Sequence, residues 1–322
     1  MRTVKLADVV DCIPANALLL CCASYEERSV TLPSAIGVRD DVEVRLCFNE
    51  ESLKDTAENR AAFARIFGRR LKLFRSRKRD PFFTADVLFR ALDSSNSREI
   101  CIDISTFTRE AIFLMIRIID ELELYDRTHF FYTRAAAYSI GSRPGQEWLS
   151  KGVTTVRSIL GYPGDLTPGR PLHLIFLPGV EFDRAMRLCE EFEPNHVSIG
   201  IGAGDRDFDR TIRERTEQVG NKIKQFNASC STFTFSTVDV IETAAVVTDV
   251  VMKKAGFNCV IAAMSNKIST IGVALVGIAH QDIQMAYAEP VKYNVAHYST
   301  PGDEIIFFRL RKNQGAKFEY FD

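Results

Sequence analysis

The chain has 322 residues, of which 46% are hydrophobic and 26% are charged, the composition of a globular protein with full cores. Its 41 basic and 42 acidic residues give a net charge of −1. Proteins that bind duplex DNA normally have an excess of basic residues, so the charge balance argues against such a partner. Without a signal-peptide pattern or an apolar run of ~18 residues, it is expected to be cytoplasmic and to have no membrane partner.

Apolar, strand-like runs alternate with helical patterns through the first half of the chain. The predicted strands are 17–23, 43–49, 71–74, 99–104 and 128–133. The predicted helices are 52–68, 81–92 and 107–122. This alternation predicts a parallel sheet with helices on both faces.

The segment 161–171 interrupts the alternation with three prolines and three glycines, which marks it as the linker between two domains, 1–160 and 172–322. After it the pattern restarts. The predicted strands are 172–177, 196–202, 232–237, 258–264, 283–288 and, as an edge strand closing this second sheet, 304–310. The predicted helices are 182–192, 205–227, 239–255 and 266–280.

The two halves also match in their polar residues. Aligning the run that begins at Cys101 with the run that begins at Cys259 places Arg109 on Lys267, an offset of 158 residues. Three further pairs align at offsets of 155 or 156: Arg28 with Arg184, Tyr132 with Tyr287, and Tyr138 with Tyr293. The sequence therefore predicts an α/β protein made of two Rossmann-like parallel-sheet units related by internal duplication.

The matched polar residues all follow the carboxyl ends of predicted strands, where open parallel sheets bind their ligands. The first-half candidates are Ser24, Glu27, Arg28, Ser105, Thr106, Thr108, Arg109, Tyr132 and Tyr138. The second-half candidates are Glu181, Asp183, Arg184, Ser265, Asn266, Lys267, Tyr287 and Tyr293. Cations and hydroxyls suit phosphate and ribose, and aromatic rings suit a base, so the set points to a nucleotide.

Each of these features has a plainer interpretation. The two arginines at 28 and 184 could pair with neighbouring carboxylates, and Ser105 and Thr106 could simply cap the next helix. The tyrosines could be ordinary strand aromatics. Recurrence of the whole set in both halves is what favours the nucleotide interpretation.

Other motifs carry less information. The run 69–80 has seven basic residues and could touch a nucleic acid backbone, although a solvated strand edge is the simpler interpretation. The glycines of 200–207 lack the G-x-G-x-x-G spacing of a dinucleotide site. The eight cysteines form no C-x-x-C pair and the five histidines have no zinc spacing, so we expect free thiols and neither a metal nor a cofactor.

The chain resembles the CARF superfamily, including its SAVED domains. The residues that carry the resemblance are Ser24, the turn 105–109 (STFTR) and the turn 265–267 (SNK). These are Rossmann-like sensors of cyclic oligonucleotides in prokaryotic antiviral defence, and SAVED proteins resemble two CARF-like units in one chain. The resemblance implies a ligand held between the two halves at the strand ends. The chain departs from the family in lacking the glycines of its G-G-T-K-like turn, and we expect no attached nuclease, protease or transmembrane effector.

The resulting expectation is a nucleotide sensor that acts on a separate effector chain. Arg109, Lys267, Arg28 and Arg184 would hold phosphates. An enzyme using the same cleft stays open, either a metal-independent ring nuclease or a glycosidic hydrolase with Asp103, Glu26 or Glu27 as its catalytic carboxylate. A structural subunit that binds no ligand also stays open.

Overall fold

A computed structural model describes residues 1–93, 98–140, 148–204, 207–227 and 229–321, and the side chains of 207–209 are not described. The chain forms two compact units. Unit 1 consists of Met1–Tyr138 and Ser299–Asp322, and unit 2 of Ser139–Tyr298. The chain therefore changes unit at 138/139 and 298/299, whereas the sequence placed the division at 161–171.

Both units are built from strands and helices that alternate along the chain. The strands are β1 (Arg2–Lys5), β2 (Leu18–Cys22), β3 (Glu43–Asn49), β4 (Leu71–Ser76), β5 (Ile100–Asp103), β6 (Thr128–Tyr138), β7 (Ser150–Ser158), β8 (Leu172–Leu177), β9 (His196–Ala203), β10 (Cys230–Ser236), β11 (Asn258–Ala263), β12 (Gln284–Tyr293), β13 (Ser299–Asn313) and β14 (Lys317–Tyr320). The α-helices are α1 (Arg28–Ile36), α2 (Ala57–Phe67), α3 (Pro81–Asp93), α4 (Arg109–Glu121), α5 (Phe182–Phe192), α6 (Asp207–Phe226), α7 (Val240–Met252) and α8 (Lys267–Ala279).

The parallel strands of the two sheets have the same order. Unit 1 runs β4-β3-β2-β5-β6-β13-β1, with β14 paired to β13, and unit 2 runs β10-β9-β8-β11-β12-β7. In each unit five neighbouring strands are parallel, and the sixth, β13 or β7, is antiparallel to the fifth. The fold class predicted from the sequence is confirmed as two mostly parallel, Rossmann-like units, while duplication of one ancestral unit stays a prediction.

The antiparallel strands do not follow the order of the chain. β7 comes directly after β6 in sequence but pairs with β12 in unit 2. β13 comes directly after β12 but pairs with β6 in unit 1, where Tyr138 lies opposite Ser299. The prediction that 304–310 closes the second sheet is therefore wrong. A local sequence pattern identifies a strand, but it does not show which distant strand will pair with it.

Apolar side chains explain why these segments fold as they do. All five residues of β2 are buried, as expected for a central parallel strand covered on both faces. On one face of the unit 1 sheet, Leu32 of α1 and Phe63 of α2 pack into a core with Leu19, Val44 and Leu46. Unit 2 builds the corresponding core from α5 and α6 over β8 and β9.

Three smaller observations complete the fold. Helix α1 was not predicted, and it contains Pro33 in its interior. All eight cysteines are free, as expected; five are buried and Cys12, Cys189 and Cys230 are half-buried. Among the helices of the described residues, none has both the length and the apolar character needed to cross a membrane.

Candidate functional site

The strand order places a topological switch point at the same position in each unit. From β2 the chain moves outward through β3 to β4 and then returns to β5 on the other side of β2. Unit 2 makes the same reversal between β8 and β11. Open α/β sheets bind ligands in the crevice at such a point, outside the carboxyl ends of the two strands. The loops that matter are therefore 23–27 with 104–108, and 178–181 with 264–266.

The loop after β5 is held by buried hydrogen bonds. The Asp103 carboxylate accepts from the Ser105 backbone N–H at 3.0 Å and from the Ser105 hydroxyl at 2.5 Å. The Ser105 hydroxyl in turn accepts from the Thr133 N–H at 2.8 Å. Burial raises the pKa of Asp103 to about 6, although the Ser105 hydrogen bonds and the charge of Arg28 lower it. Asp103 and Ser105 therefore fix the loop from inside.

Two threonines tie this loop to its neighbours. The Thr106 hydroxyl donates to the carbonyl of Cys22 at 2.7 Å and so joins the two loops of the switch point. Thr108 caps α4 by accepting from the Ala111 N–H at 3.1 Å. Arg109 is the first residue of α4 and is half-buried. Its positive charge opposes the helix dipole, and an anion at this helix start would offset that cost.

Unit 2 repeats this arrangement with different side chains. Asn266 caps α8 by accepting from the Ser269 N–H at 2.9 Å, and its amide donates to the Thr237 carbonyl at 2.6 Å. Lys267 is the first residue of α8, the position that Arg109 has in α4. Gly179, at φ +56°, lets the other loop approach closely, since a Cβ there would lie 3.1 Å from the Met264 carbonyl oxygen.

Arg28 belongs to a buried network in unit 1. Its guanidinium donates to the Glu26 carboxylate at 2.6 and 3.1 Å and to the Thr133 carbonyl at 3.2 Å. Ser299 of β13 accepts from Arg28 at 3.1 Å and donates to Glu26 at 2.6 Å. Burial lowers the pKa of Arg28, but Glu26 and two tyrosines raise it overall. The side chain is only 2% exposed, so its guanidinium is engaged within the unit.

Arg184 belongs to the matching network in unit 2. It donates to Glu181 at 2.5 Å and to the Ala288 carbonyl at 2.8 Å, and Ser150 of β7 donates to the other oxygen of Glu181 at 2.5 Å. The networks use an arginine, a glutamate, a carbonyl of the fifth strand and the first serine of the antiparallel strand. One difference is that Arg184 Nη2 is buried and finds no hydrogen-bond partner among the described residues.

The four tyrosines surround these arginines. Tyr132 and Tyr287 are 5% and 3% exposed, with their ring centroids 5.9 and 5.4 Å from the guanidinium carbons of Arg28 and Arg184. Tyr138 shares a hydrogen bond of 3.1 Å with Tyr132, and burial raises its pKa. Tyr293 packs edge-on against Tyr298. In this structure the rings at 132 and 287 face their arginines and are not exposed for stacking.

The remaining sequence candidates differ in how exposed they are. Ser24 is buried after β2, where its carbonyl accepts from the Asn59 amide at 2.7 Å. Glu26 is buried in its ion pair, and Glu27, at the start of α1, is exposed. Asp183 is exposed on α5. Ser265 is half-buried in the loop after β11. Glu27 is thus the one exposed carboxylate of the three catalytic candidates.

Two other sequence features also have structural roles. The basic run 69–80 forms the edge strand β4 and the turn after it, where Lys72 pairs with Glu43 and Arg77 with Glu50. Gly200 of the glycine run lies in β9, where a Cβ would come within 3.0 Å of the Phe235 ring; residues 205 and 206 of that run lie outside the described residues. Within the described ranges, no cluster of three or more His, Cys, Asp or Glu side chains could hold a metal.

The sequence analysis did not identify Ser299 and Ser150. Each is the first residue of an antiparallel strand, and the sequence of a strand does not show which buried ion pair its first residue will contact. The sequence analysis also missed Trp148, the only tryptophan of the chain, which lies just before β7 with Lys151 and Lys292 over its ring. The sequence signal that could have identified this position is a single tryptophan with a lysine three residues later.

No protein-family model and no curated protein matches this chain. Among solved structures, a functionally unknown protein from Pseudomonas aeruginosa matches over 88% of this chain and 95% of its own, at 9% identity and a TM-score of 0.25. A Haemonchus contortus phosphoethanolamine N-methyltransferase, solved with phosphoethanolamine and S-adenosylhomocysteine, covers 80% and 71% at 7% identity and a TM-score of 0.25. A PLP-bound threonine synthase from Brucella melitensis covers 90% and 64% at 12% identity and a TM-score of 0.21. Similarity at this level carries no argument about function, so the site must be interpreted from its own chemistry.

Proposed function

We propose that this protein is a sensor of a nucleotide signal, of the cyclic oligonucleotide kind, and that each unit receives a phosphate at its switch point. The observation that carries the proposal is the cation at the start of the helix after the fourth parallel strand in both units, Arg109 in α4 and Lys267 in α8. A cation at a helix N-terminus and the backbone N–H groups there attract an anion to the same place, and this arrangement occurs in both units.

The surrounding groups support a phosphate ligand. Helix N-termini present unpaired backbone N–H groups, which favour anions. The capping residues Thr108 and Asn266 fix the starts of both helices. Thr106 and Gly179 hold the two loops of each crevice close together. These contacts preorganise the N–H groups, which lowers the entropy lost on binding.

The buried arginines have a positioning role in this proposal. Arg28 and Arg184 tie the segment after the first parallel strand to the fifth strand and to the antiparallel strand of the same unit. They hold the loops that would surround the ligand, and Arg109 and Lys267 contact its phosphates. The sensor would pass its signal to a separate effector chain through a shift in conformational population on binding.

Isothermal titration with cyclic di-, tri- and tetra-adenylate tests the proposal. We expect one of these to bind, and we expect Arg109→Gln and Lys267→Gln each to weaken it by about 10- to 100-fold, the value of a charge-assisted hydrogen bond. Ligand at ~100 times Kd should stabilise the fold by about 2.7 kcal/mol, seen as a higher melting temperature. Arg210→Gln is the matched control, because Arg210 is exposed and pairs with Glu214 at 3.1 Å on α6.

Two results would go against the proposal. Unchanged affinity in the Arg109→Gln, Lys267→Gln double variant would remove the switch points as phosphate sites, and absence of binding across the panel would favour a structural subunit. Chromatography of the incubated ligand separates sensor from enzyme. An intact ligand supports the sensor, whereas a cleaved ligand would assign the cleft to a nucleotide-cleaving enzyme.

A further inference from the structure

Trp148 is presented at the carboxyl end of the β12 strand of unit 2 on a fixed backbone. Asn294 holds it in two ways, because its amide donates to the Trp148 carbonyl at 3.0 Å and its N–H donates to the Leu149 carbonyl at 2.9 Å. Asn294 itself is buried. The indole is half-buried, so part of its ring surface is accessible.

Two lysines lie over this ring. Lys151 Nζ is 4.7 Å and Lys292 Nζ is 5.5 Å from the ring centroid. The two residues lie directly opposite each other in the antiparallel pairing of β7 with β12. Like charges at directly opposed positions are destabilising, since their Cβ atoms are only ~5 Å apart. The sheet therefore carries an electrostatic cost at this point.

Among the described residues, the neighbouring acids make their contacts with groups other than these two lysines. Glu289 of β12 pairs with Arg157 at 2.7 Å, and Glu181 pairs with Arg184 at 2.5 Å. Asp183 accepts from the Gly152 N–H at 3.3 Å. Neither Lys151 nor Lys292 forms an ion pair with a carboxylate in the described part of the chain, and both are exposed.

We propose that Trp148, Lys151 and Lys292 form a nucleotide-binding site of unit 2, in which the indole stacks on a base and the two ammonium groups hold its phosphate. Indole rings stack on any base, and lysine binds phosphate as a point charge. A phosphate between the lysines converts their mutual repulsion into two favourable pairs. The exposed lysine side chains can move from the ring to the phosphate and so make room for the base. The residues of this site differ from Lys267 and the other switch-point residues proposed to contact phosphate, and the proposal does not depend on a ligand binding at Lys267.

Because Trp148 is the only tryptophan, tryptophan fluorescence reports the surroundings of this one ring. The full-length protein is titrated with AMP, adenosine and inorganic phosphate, with N-acetyltryptophanamide correcting for absorption by the base. We expect saturable quenching by AMP, weaker quenching by adenosine, and competition by inorganic phosphate. Lys151→Gln and Lys292→Gln should each weaken the binding of AMP by about tenfold, as expected for loss of one charge-assisted contact.

The controls separate this site from its surroundings. Lys254→Gln is the matched variant, since Lys254 lies 5.3 Å over the Phe257 ring elsewhere in unit 2, and its AMP affinity should be unchanged. Lys267→Gln is measured beside it, because a nucleotide held at the switch point would lose affinity in that variant, which keeps this proposal distinguishable from the switch-point site. Lys151→Glu should raise the melting temperature by pairing with Lys292 and should abolish quenching by AMP.

Three results would overturn the proposal. The first is no saturable quenching beyond that of N-acetyltryptophanamide. The second is equal AMP affinity in the Lys151→Gln, Lys292→Gln double variant. The third is quenching that is lost in Lys267→Gln and kept in both single lysine variants, which would locate the nucleotide at the switch point.

Discussion

His173 and His196 lie side by side at the amino end of the unit 2 sheet, with ring centroids 5.2 Å apart. His173 shares a hydrogen bond of 2.8 Å with Ser198, and its Nδ1 is buried and finds no partner among the described residues. Burial, His196 and Lys254 lower the pKa of His173 to about 4. Burial and Lys254 also lower the pKa of His196. The folded unit therefore favours the neutral form of both imidazoles.

The first prediction is that unit 2 loses stability in mild acid. The unfolded chain binds a proton at His173 below pH ~6.5, whereas the folded unit resists protonation until about pH 4, so stability falls as pH falls through this window. From pH 7 to pH 5, His173 alone should cost about 2 kcal/mol of unfolding free energy. Urea unfolding of wild type and His173→Gln at both pH values measures this difference.

Two comparisons make that measurement specific. His297→Gln changes an exposed histidine of unit 2 and should keep the wild-type slope. Asp103 in unit 1 acts in the opposite direction, because its pKa is raised to about 6 and its protonation favours the folded state. The pH dependence of the unfolding free energy of the wild type alone therefore combines opposite effects. The difference between wild type and His173→Gln isolates the effect of His173. An identical slope in His173→Gln would show that this imidazole does not control acid stability.

Among the helices, α7 and α8 approach closely at Gly272. A Cβ at this position would lie 2.8 Å from both the Val240 carbonyl oxygen and the Thr243 Cβ. Gly220 in α6 is different, since a Cβ there would lie at an ordinary 3.6 Å from Ile199. One glycine is thus required by packing and the other is not.

We expect Gly272→Ala to destabilise unit 2 by about 1–3 kcal/mol, because a backbone carbonyl cannot move aside for the new methyl group. Gly220→Ala should instead stabilise it by up to about 1 kcal/mol through helix propensity. Urea unfolding of the two variants provides the test. Stabilisation by both would mean that α7 and α8 can separate without cost.

Element positions were largely predictable from the sequence, because buried parallel strands such as β2 and β11 are continuous apolar runs. The polar residues after those strands were found for the same reason. What the sequence could not supply was the set of contacts made at a distance. Pairing of Arg28 with a neighbouring carboxylate could be read from the sequence, but its contacts with Thr133 and with Ser299, 271 residues later, could not.

At the scale of the whole molecule, unit 2 is one continuous segment inserted between β6 and β13 of unit 1. Tyr138 and Ser299 are opposite each other in the unit 1 sheet, and the Ser139 N–H donates to the Tyr298 carbonyl at 3.1 Å in unit 2. The linker predicted at 161–171 lies inside unit 2. Composition marks turns well, but a turn-rich segment need not be a domain boundary.

We expect residues 139–298 to fold alone with a cooperative thermal transition. Unit 1 should also fold when Tyr138 is joined to Ser299 by an Asn-Gly turn, which suits a two-residue hairpin. Circular dichroism and thermal melts of both products test this. The fragment 1–160 is the matched control: it lacks β13, leaves the β6 edge unpaired, and should aggregate. A soluble, cooperative 1–160 fragment would contradict this division of the chain.

The placement of β13 also has a consequence for synthesis. When β6 leaves the ribosome, its antiparallel partner begins 161 residues further along the chain, counting from Tyr138 to Ser299. At ~5–20 residues per second, that partner arrives about 10 to 30 s later. Unit 2 is fully synthesised within this delay, so the unit that begins first finishes second. For that interval the apolar edge of β6 is open to other nascent chains, and chaperones have most reason to act there.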